Sequence, residues 1–356
     1  MKLNLEDVAK RSGVSRSTVS RVINNDPNVK EATRERVQGI IRLLNYHPNV
    51  AARGLAAGRT RILGLVIPMG VSALFTDPYF PLLIQGVSAA CNTHDHSVML
   101  WLADPEYERR TIRQIMHGGL IDGAIVASML MDDPVLTALL EGDLPFILVG
   151  RHPTNPRVSY VDVDNFNSTR EAVAHLFRLG HSRIATVTGP HNMIAGADRL
   201  AGYLAALKDR GLTADPNLIA EGDFSEAGGH AAMQRLLQHQ FDAVFVASDT
   251  MALGALRALR ESGRRVPEDV ALVGYDDMPF AARTGPPLTT VRQPIYRTGA
   301  MAAEALIDLI DNPEPGPRRI VLPTELVLRE SCGSGLPPAR PVELPSKEVV
   351  SSTSEA

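Results

Sequence analysis

The sequence predicts a small all-α N-terminal part followed by a much larger α/β part built on parallel sheets. Two observations lead to this prediction. Between residues 5 and 44, apolar side chains recur at the spacing of short amphipathic helices. From residue 61 onward, short apolar runs alternate with longer stretches of helical period, as in parallel sheets with right-handed crossovers. A chain of 356 residues is long enough for a small module and one large core.

The N-terminal part opens with two short helices joined by a tight turn, in the stretch LEDVAKRSGVSRSTVSRVIN at 5–24. Asn4 can cap the first helix and Ser15 the second, because both side chains accept a bond from a free backbone N–H. Gly13 lies where the chain must turn and is expected at positive φ. An apolar stripe of the second helix faces inward: Val19, Val22 and Ile23.

The outer face of the second helix is polar and carries two arginines: Arg16, Ser17, Ser20, Arg21 and Asn24. Arginine reaches guanine edges or phosphates in a major groove, and small hydroxyl side chains allow a close approach. The face therefore predicts a DNA-recognition helix. Taken alone, these residues fit an ordinary amphipathic helix pair with a solvated face equally well.

Two further helices are predicted before the core. Residues 31–44 place apolar side chains at i, i+3, i+4 and i+7, although Lys30 is a poor cap for this helix. A second, very short helix fits between Asn49 and Gly58. It contains Gly54, which costs about 1 kcal/mol relative to Ala, so this helix should be marginal in isolation.

The charge of the chain is unevenly distributed. Residues 1–61 contain 12 Lys+Arg and 5 Asp+Glu, a formal charge of +7, whereas the remaining 24 Lys+Arg and 35 Asp+Glu give −11. A basic head on an acidic body suits a polyanion held at one end. No N-terminal apolar leader and no bilayer-length apolar run is present, so we expect a cytoplasmic protein.

The core is predicted to contain strands and helices in alternation. The predicted strands lie at 62–68, 96–102, 123–127, 146–150, 160–164, 184–189, 243–247 and 270–277. The predicted helices lie near 80–93, 165–179, 197–210, 225–238 and 249–262, and later segments near 288–292 and 319–330 return to the sheets. The two cysteines, Cys91 and Cys332, lack metal-site or disulfide spacing, and we interpret them as a buried hydrophobe and a tail thiol.

Two stretches carry a family resemblance: DVAKRSGVSRSTVSRVIN and, at 45–60, NYHPNVAARGLAAGRT. They resemble the headpiece and hinge of the lactose-repressor-type (LacI/GalR) family of bacterial transcription regulators. The resemblance implies a helix-turn-helix headpiece at 1–47, a hinge helix at 48–60, and an effector-binding and dimerisation core at 61–335. The core would have two doubly wound, periplasmic-binding-protein-like lobes joined by crossings near 160, 290 and 322. The polar segment at 336–356 is expected to be a disordered tail.

The resemblance also implies the function of the headpiece. A homodimer would bind an inverted-repeat DNA operator and repress a carbohydrate-use operon, with Leu55 inserted into the minor groove. The expected DNA contacts are Leu5, Ser15, Arg16, Ser17, Thr18, Ser20, Arg21, Asn24, Asn49, Ala52 and Leu55. Alternatively, Leu55 is a linker residue that packs on the core.

Polar and aromatic side chains follow several predicted strands at their carboxyl ends, where open α/β sheets bind ligands. The candidate effector-binding residues are Asp77, Tyr79, Phe80, Ser128, Arg151, Arg199, Ser248, Asp249 and Asp276. An arginine facing an aspartate can bind a polyhydroxyl ligand through charge-assisted hydrogen bonds. In the resembled family, Arg199 and Asp276 match the positions that most often hold the effector, while Asp77, Phe80 and Ser248 match positions that vary with the ligand.

These residues could also have purely structural roles. Asp249 or Asp276 could cap a helix, Arg199 could form a surface ion pair, and Tyr79 could pack in the core. Met193 and Ala195 stand where purine-binding members carry polar residues, which favours a sugar or sugar derivative.

The sequence contains no signature of an enzyme. Gly-x-Gly-x-x-Gly, Walker, His-Glu-x-x-His and Gly-x-Ser-x-Gly motifs are all missing, so we expect no catalytic residue, cofactor or metal site. Three alternatives stay open: a regulator that responds to a non-sugar metabolite or corepressor, a solute-binding protein without DNA function, and an enzyme fused to a DNA-binding head. The sequence does not specify which effector binds, whether it acts as an inducer or a corepressor, or which operator is recognised. It also does not specify whether the protein is a dimer or a tetramer.

Overall fold

The computed structural model describes residues 3–46, 59–67, 74, 77–102, 118–127, 130–131, 134–314 and 316–335. Four candidate site residues lie outside these ranges: Asn49, Ala52, Leu55 and Ser128. Most of the predicted hinge helix and all of the predicted tail at 336–356 also lie outside them. Contacts divide the chain into two compact units, one formed by residues up to Arg61 together with Gly119–Asp122, and one formed by the rest.

The smaller unit is a three-helix headpiece of α1 (Leu5–Ser12), α2 (Arg16–Ile23) and α3 (Glu31–Leu43). Its core contains the predicted apolar stripes: Val8, Ala9, Val19, Val22, Val37 and Tyr46 are buried. Asn4 accepts bonds from the backbone N–H groups of Glu6 and Asp7, and Gly13 ends α1 at φ 66°. Ser15 Oγ accepts a 3.2 Å bond from Thr18 N, whereas Lys30 gives α3 no side-chain cap. These local predictions are confirmed.

The larger unit consists of alternating strands and helices. Among the described residues, its strands are β1 (Ile62–Ile67), β2 (Ser97–Leu102), β3 (Gly123–Ala127), β4 (Phe146–Val149), β5 (Tyr160–Val163), β6 (Ile184–Thr188), β7 (Ile219–Glu221), β8 (Ala243–Val246), β9 (Ala271–Asp276), β10 (Thr289–Arg292), β11 (Arg319–Leu322) and β12 (Glu325–Val327). Its α-helices are α4 (Tyr79–Thr93), α5 (Pro134–Glu141), α6 (Asn165–Arg178), α7 (Ile194–Asp209), α8 (Glu226–Leu236), α9 (Asp249–Glu261) and α10 (Ile295–Asp311).

The strands form two separate sheets, each the centre of one lobe. The first lobe has the order β11-β5-β4-β3-β1-β2, with every pairing parallel. The second lobe has the order β12-β10-β9-β8-β6-β7, in which only the short β12 runs antiparallel to its neighbour. Each lobe has its own apolar core, and helix α10 contributes to the core of the first lobe although it follows the second lobe in sequence.

The chain passes between the lobes three times. The crossings lie between β5 and α6, between β10 and α10, and between β11 and β12. These positions agree with the crossings expected near 160, 290 and 322. Because the strands of both sheets end toward the crossings, the loops that follow them meet between the lobes.

Two sequence predictions need correction. Helix α7 begins at Ile194 rather than at 197, because Gly196 belongs to its first turn, where a Cβ would collide with the Pro190 carbonyl oxygen. Gly196 therefore lies within the helix, where it allows a close packing contact, and is not part of a loop. Cys332 is not a tail thiol, since it is fully buried in the core of the second lobe. Within the described ranges, no helix combines the length and apolar character that a bilayer span requires.

Candidate functional site

A cleft lies between the two lobes, and about 150 Å³ of it is open to water-sized molecules. Seven of the predicted effector residues line it: Asp77, Tyr79, Phe80, Arg151, Arg199, Ser248 and Asp276. The cleft is also lined by polar and aromatic residues that the sequence analysis missed, chiefly Asp162, Asn165, Phe224 and Gln293.

Arg199 is the buried cation of the cleft, with 5% of its surface exposed. It projects from α7, and its Nε donates a 2.9 Å bond to Asn165 Oδ1, while Nη1 donates a 2.5 Å bond to the Ala247 carbonyl oxygen. The guanidinium carbon lies 3.6 Å from the centre of the Tyr275 ring, a cation–π contact. Because three groups from different elements hold the guanidinium, its orientation in the cleft is fixed.

Asp276 is the buried anion that faces this arginine. Its Oδ1 accepts a 2.5 Å bond from Gln293 Nε2 and lies 3.7 Å from Arg199 Nη1. Burial raises the pKa of Asp276 well above its usual value, with further increases from Asp249 and Asp77 and an opposing effect from Arg199. The residue also has φ 118°, a strained conformation for a residue with a side chain. A carboxylate in such surroundings gains from additional hydrogen-bond donors, such as ligand hydroxyls.

Two further carboxyls lie in the same cleft. Asp77 accepts a 3.0 Å bond from Tyr79 N, and burial raises the pKa of Asp77 despite that bond and the nearby Arg199. Burial also raises the pKa of Asp162 to about 6, although its Oδ1 accepts bonds from Val163 N and from Asn165 Nδ2. A signal for Asp162 exists in the sequence, because it is a charged residue inside the apolar strand YVDV.

Aromatic rings lie beside these polar groups. Tyr79 and Phe80 pack edge to face with ring centres 5.3 Å apart, and Phe80 is also part of the core of the first lobe. Phe224 adopts φ 67°, and its ring packs against Gly189, where a Cβ would collide with it. Aromatic faces of this kind pack against the apolar face of a sugar ring or another flat ligand.

Asp249 does not line the cleft, and its predicted role there is corrected. It is fully buried at the start of α9, where Oδ1 accepts a 2.6 Å bond from Thr290 Oγ1 and Oδ2 a 2.8 Å bond from Met278 N. Burial raises the pKa of Asp249 to about 7. The neighbouring Ser248 lines the cleft and also caps α9 by accepting a bond from Met251 N. The alternative that Asp249 is the cap is therefore also wrong.

The headpiece presents the predicted recognition face. Arg16, Ser17, Arg21 and Asn24 are exposed, and Ser20 is half-buried. Ser15 is occupied by capping and by bonds of 2.8 Å to the hydroxyl groups of Ser17 and Thr18. Leu5 is half-buried against the headpiece core. Of this set, the two arginines have the longest side chains, and Arg21 Nε lies 3.9 Å from Asp26 Oδ2.

Comparison with known proteins decides the family. Residues 4–49 match the model of "Bacterial regulatory proteins, lacI family", and residues 173–332 match "Periplasmic binding protein-like domain". The HTH-type transcriptional regulator CelR of Thermobifida fusca is 43% identical over 331 residues, which cover 92% of this chain and 97% of CelR. This chain belongs to the LacI family. It is a DNA-binding transcription regulator, as are its relatives.

Solved structures of LacI-family regulators agree with the fold. A CelR–cellobiose complex matches with TM-score 0.74 and 42% identity, covering 92% of this chain and 99% of that one. The lac repressor dimer bound to operator and an anti-inducer matches with TM-score 0.82 and 28% identity, covering 93% and 99%. The predicted headpiece with two α/β lobes is thus confirmed.

Proposed function

We propose that this LacI-family regulator is a homodimeric repressor of a carbohydrate-use operon that acts on cytoplasmic DNA. It binds an inverted-repeat operator through its headpieces, and a sugar or sugar derivative bound between the core lobes changes that affinity. The observation that carries the effector part is the buried pair of Arg199 and Asp276, whose guanidinium and carboxylate both face the cleft.

The cleft suits a sugar or a sugar derivative. Charged planar side chains and aromatic rings both line it, which is the combination that recognises hydroxyl groups and the apolar faces of sugar rings. A CelR that is 42% identical to this chain was solved as a complex with cellobiose, so cellobiose is the first ligand to test. The proposed effector contacts are Asp77, Tyr79, Phe80, Ser128, Arg151, Arg199, Ser248 and Asp276, together with Asp162 and Gln293.

The DNA-binding proposal uses the exposed face of α2 and the hinge segment. Arg16, Ser17 and Arg21 would contact base edges, and Leu55 would unstack the central base step together with its copy in the second subunit. The other proposed DNA contacts are Leu5, Ser15, Thr18, Ser20, Asn24, Asn49 and Ala52. The +7 charge of residues 1–61 supports a phosphate-binding head.

We propose functional boundaries that follow from these roles: a headpiece at 1–47, a hinge at 48–60, a core at 61–335 and a tail at 336–356. Effector binding would change how the lobes are arranged, shift the two first lobes of the dimer, and unpair the hinge helices. Such a two-state element couples distant sites because each ligand has different affinity for the two arrangements.

A selection of genomic DNA fragments by the purified protein, with and without cellobiose, tests the proposal. We expect enrichment of an inverted repeat upstream of carbohydrate genes and a changed affinity when the sugar is present. A solute-binding protein without DNA function would enrich no sequence at moderate salt, with or without ligand. In a matched measurement, Leu55→Ala should weaken operator binding while leaving sugar affinity unchanged, and undiminished operator binding would contradict the wedge role.

A further inference from the structure

The two lobes are joined across the cleft by a backbone contact in addition to the three covalent crossings. The N–H of Met131, which follows β3 in the first lobe, donates a 2.8 Å bond to the carbonyl oxygen of Asn192 in the second lobe. Next to it, Leu130 and Met193 form an isolated antiparallel bridge. Leu130 is 43% exposed, so this contact lies toward the solvent side of the cleft.

A charged pair joins the lobes in the same region. Nη2 of Arg151, which follows β4 in the first lobe, lies 2.5 Å from Oδ1 of Asp198 in α7 of the second lobe. The side chain of Arg151 is 35% exposed and that of Asp198 is 15% exposed. Burial raises the pKa of Asp198 even though Arg151 opposes the shift, so the carboxylate depends on its partner. A carboxylate–guanidinium pair thus spans the gap between the lobes.

The partners in the second lobe form one short segment. Asn192, Met193 and Asp198 all belong to the loop and first turns of α7, and the next residue, Arg199, points into the buried part of the cleft. Arg199 is 5% exposed, whereas Arg151 retains a third of its side-chain surface. The contacts at 130–131, 151, 192–193 and 198, which we name the clasp, therefore lie between the arginine of the cleft and solvent.

We propose that Asp198 is a positioning residue that holds Arg151 across the cleft and thereby controls the opening of the clasp. A ligand that enters along this edge reaches Arg199 and Asp276 only after the lobes separate there. Separation breaks the Met131–Asn192 bond and the Arg151–Asp198 pair together. The inference rests on the proposed function insofar as the cleft binds an effector, because the clasp then sets the rate at which that effector enters and leaves.

Hydrogen exchange at the Met131 amide measures clasp opening without any ligand. Asp198→Asn keeps the size of the side chain and removes its charge. A partly exposed ion pair contributes modestly, so we expect exchange at Met131 to become about fivefold faster. The matched control is Asp209→Asn, which makes the same substitution at the other end of α7 and breaks the exposed Arg170–Asp209 pair within one lobe. The control should leave Met131 exchange unchanged.

Two further measurements separate a clasp from a general loss of stability. The double variant Arg151→Asp with Asp198→Arg should restore slow exchange at Met131, which neither single substitution does. In stopped-flow experiments with cellobiose, Asp198→Asn should raise the association and dissociation rates by similar factors of about five, with the Kd changed less than twofold. Loss of a simple ligand contact would raise the dissociation rate and the Kd together.

Each outcome has a definite meaning. Equal Met131 exchange in Asp198→Asn and Asp209→Asn overturns the proposal, as does a charge-swapped double variant that stays fast. If Asp198→Asn speeds exchange at Met131 but leaves the association and dissociation rates of cellobiose unaltered, the clasp does not control ligand entry. Failure of the wild-type protein to bind cellobiose would refute that effector and not the clasp, which the exchange measurement decides independently.

Discussion

Replacing Asp276 with Asn removes one negative charge from the effector cleft while keeping the shape of the side chain. The position already holds a residue with a side chain at positive φ, so Asn adds no further steric strain there. Hydrogen bonds from ligand hydroxyls to a carboxylate are charge-assisted and contribute about 1.5–3 kcal/mol each. Loss of one such bond corresponds to an affinity about 10- to 150-fold lower. Isothermal titration with cellobiose would measure this loss.

The same substitution should make the ligand-free protein more stable at pH 7. Because burial raises the pKa of Asp276, the folded state disfavours the charged carboxylate, and each pKa unit corresponds to about 1.4 kcal/mol. This cost is absent at low pH, where the carboxyl is protonated in both states, and appears as pH rises above the unfolded value. Arg199 loses its anion but keeps its bonds to Asn165 and Ala247.

Urea unfolding of the ligand-free protein at pH 7 and pH 4 would measure this effect, with a larger gain expected at pH 7. Asp249→Asn is the matched control, because Asp249 is a buried aspartate of the same lobe that does not line the cleft. It should change stability, and it should change the affinity for cellobiose far less than Asp276→Asn does. A destabilised Asp276→Asn protein with wild-type affinity would refute the reasoning and make Asp276 a structural partner of Arg199.

Three other predictions concern the headpiece and the pH dependence of the core. Arg16→Ala should change the DNA motif that the protein selects from random sequences, and an identical motif would exclude Arg16 from base recognition. Ser15→Ala removes the cap bond to Thr18 N and should lower headpiece stability by about 1 kcal/mol, measured by thermal unfolding. Because burial raises the pKa of Asp162 to about 6, its protonated form stabilises the fold below about pH 4, and this contribution is lost as the pH rises to 6. Asp162→Asn should therefore remove a decline of about 2 kcal/mol in unfolding free energy between pH 4 and 6, and an unchanged profile would assign the pH dependence elsewhere.

Local patterns in the sequence were sufficient for most elements of the fold, although helix α10 and the short strand β7 were not predicted. Capping by Asn4 and Ser15, the positive φ of Gly13 and the apolar stripes depend on neighbours within a few residues, and all of them are present in the structure. The strands are similarly readable, because strands of a covered parallel sheet are apolar throughout. Asp276 was predictable because it lies at the carboxyl end of a strand, where α/β sheets bind ligands, and Arg199 because it lies in the helix that follows such a strand.

The predictions about the site that were wrong or missing concern residues whose partners are distant in sequence. Asp249 was placed in the cleft because it follows a strand, but Thr290 and Met278 bind both of its carboxylate oxygens. Gln293 was missed because a residue in a crossing has no periodic pattern to mark it. The pairing of Arg151 with Asp198 was equally invisible, since it depends on how closely the two lobes approach each other.

The order of the segments has a consequence for how the protein is made. The first lobe begins at β1, yet its sheet is completed by β11 and its core by α10, and both are encoded after the entire second lobe except β12. The second lobe, with nearly all its strands in one continuous stretch, therefore leaves the ribosome before the first lobe can complete its apolar core. The first lobe thus begins earlier in synthesis but is completed later than nearly all of the second lobe. A nascent chain halted near residue 292 would expose the hydrophobic sheet of the first lobe, to which chaperones bind.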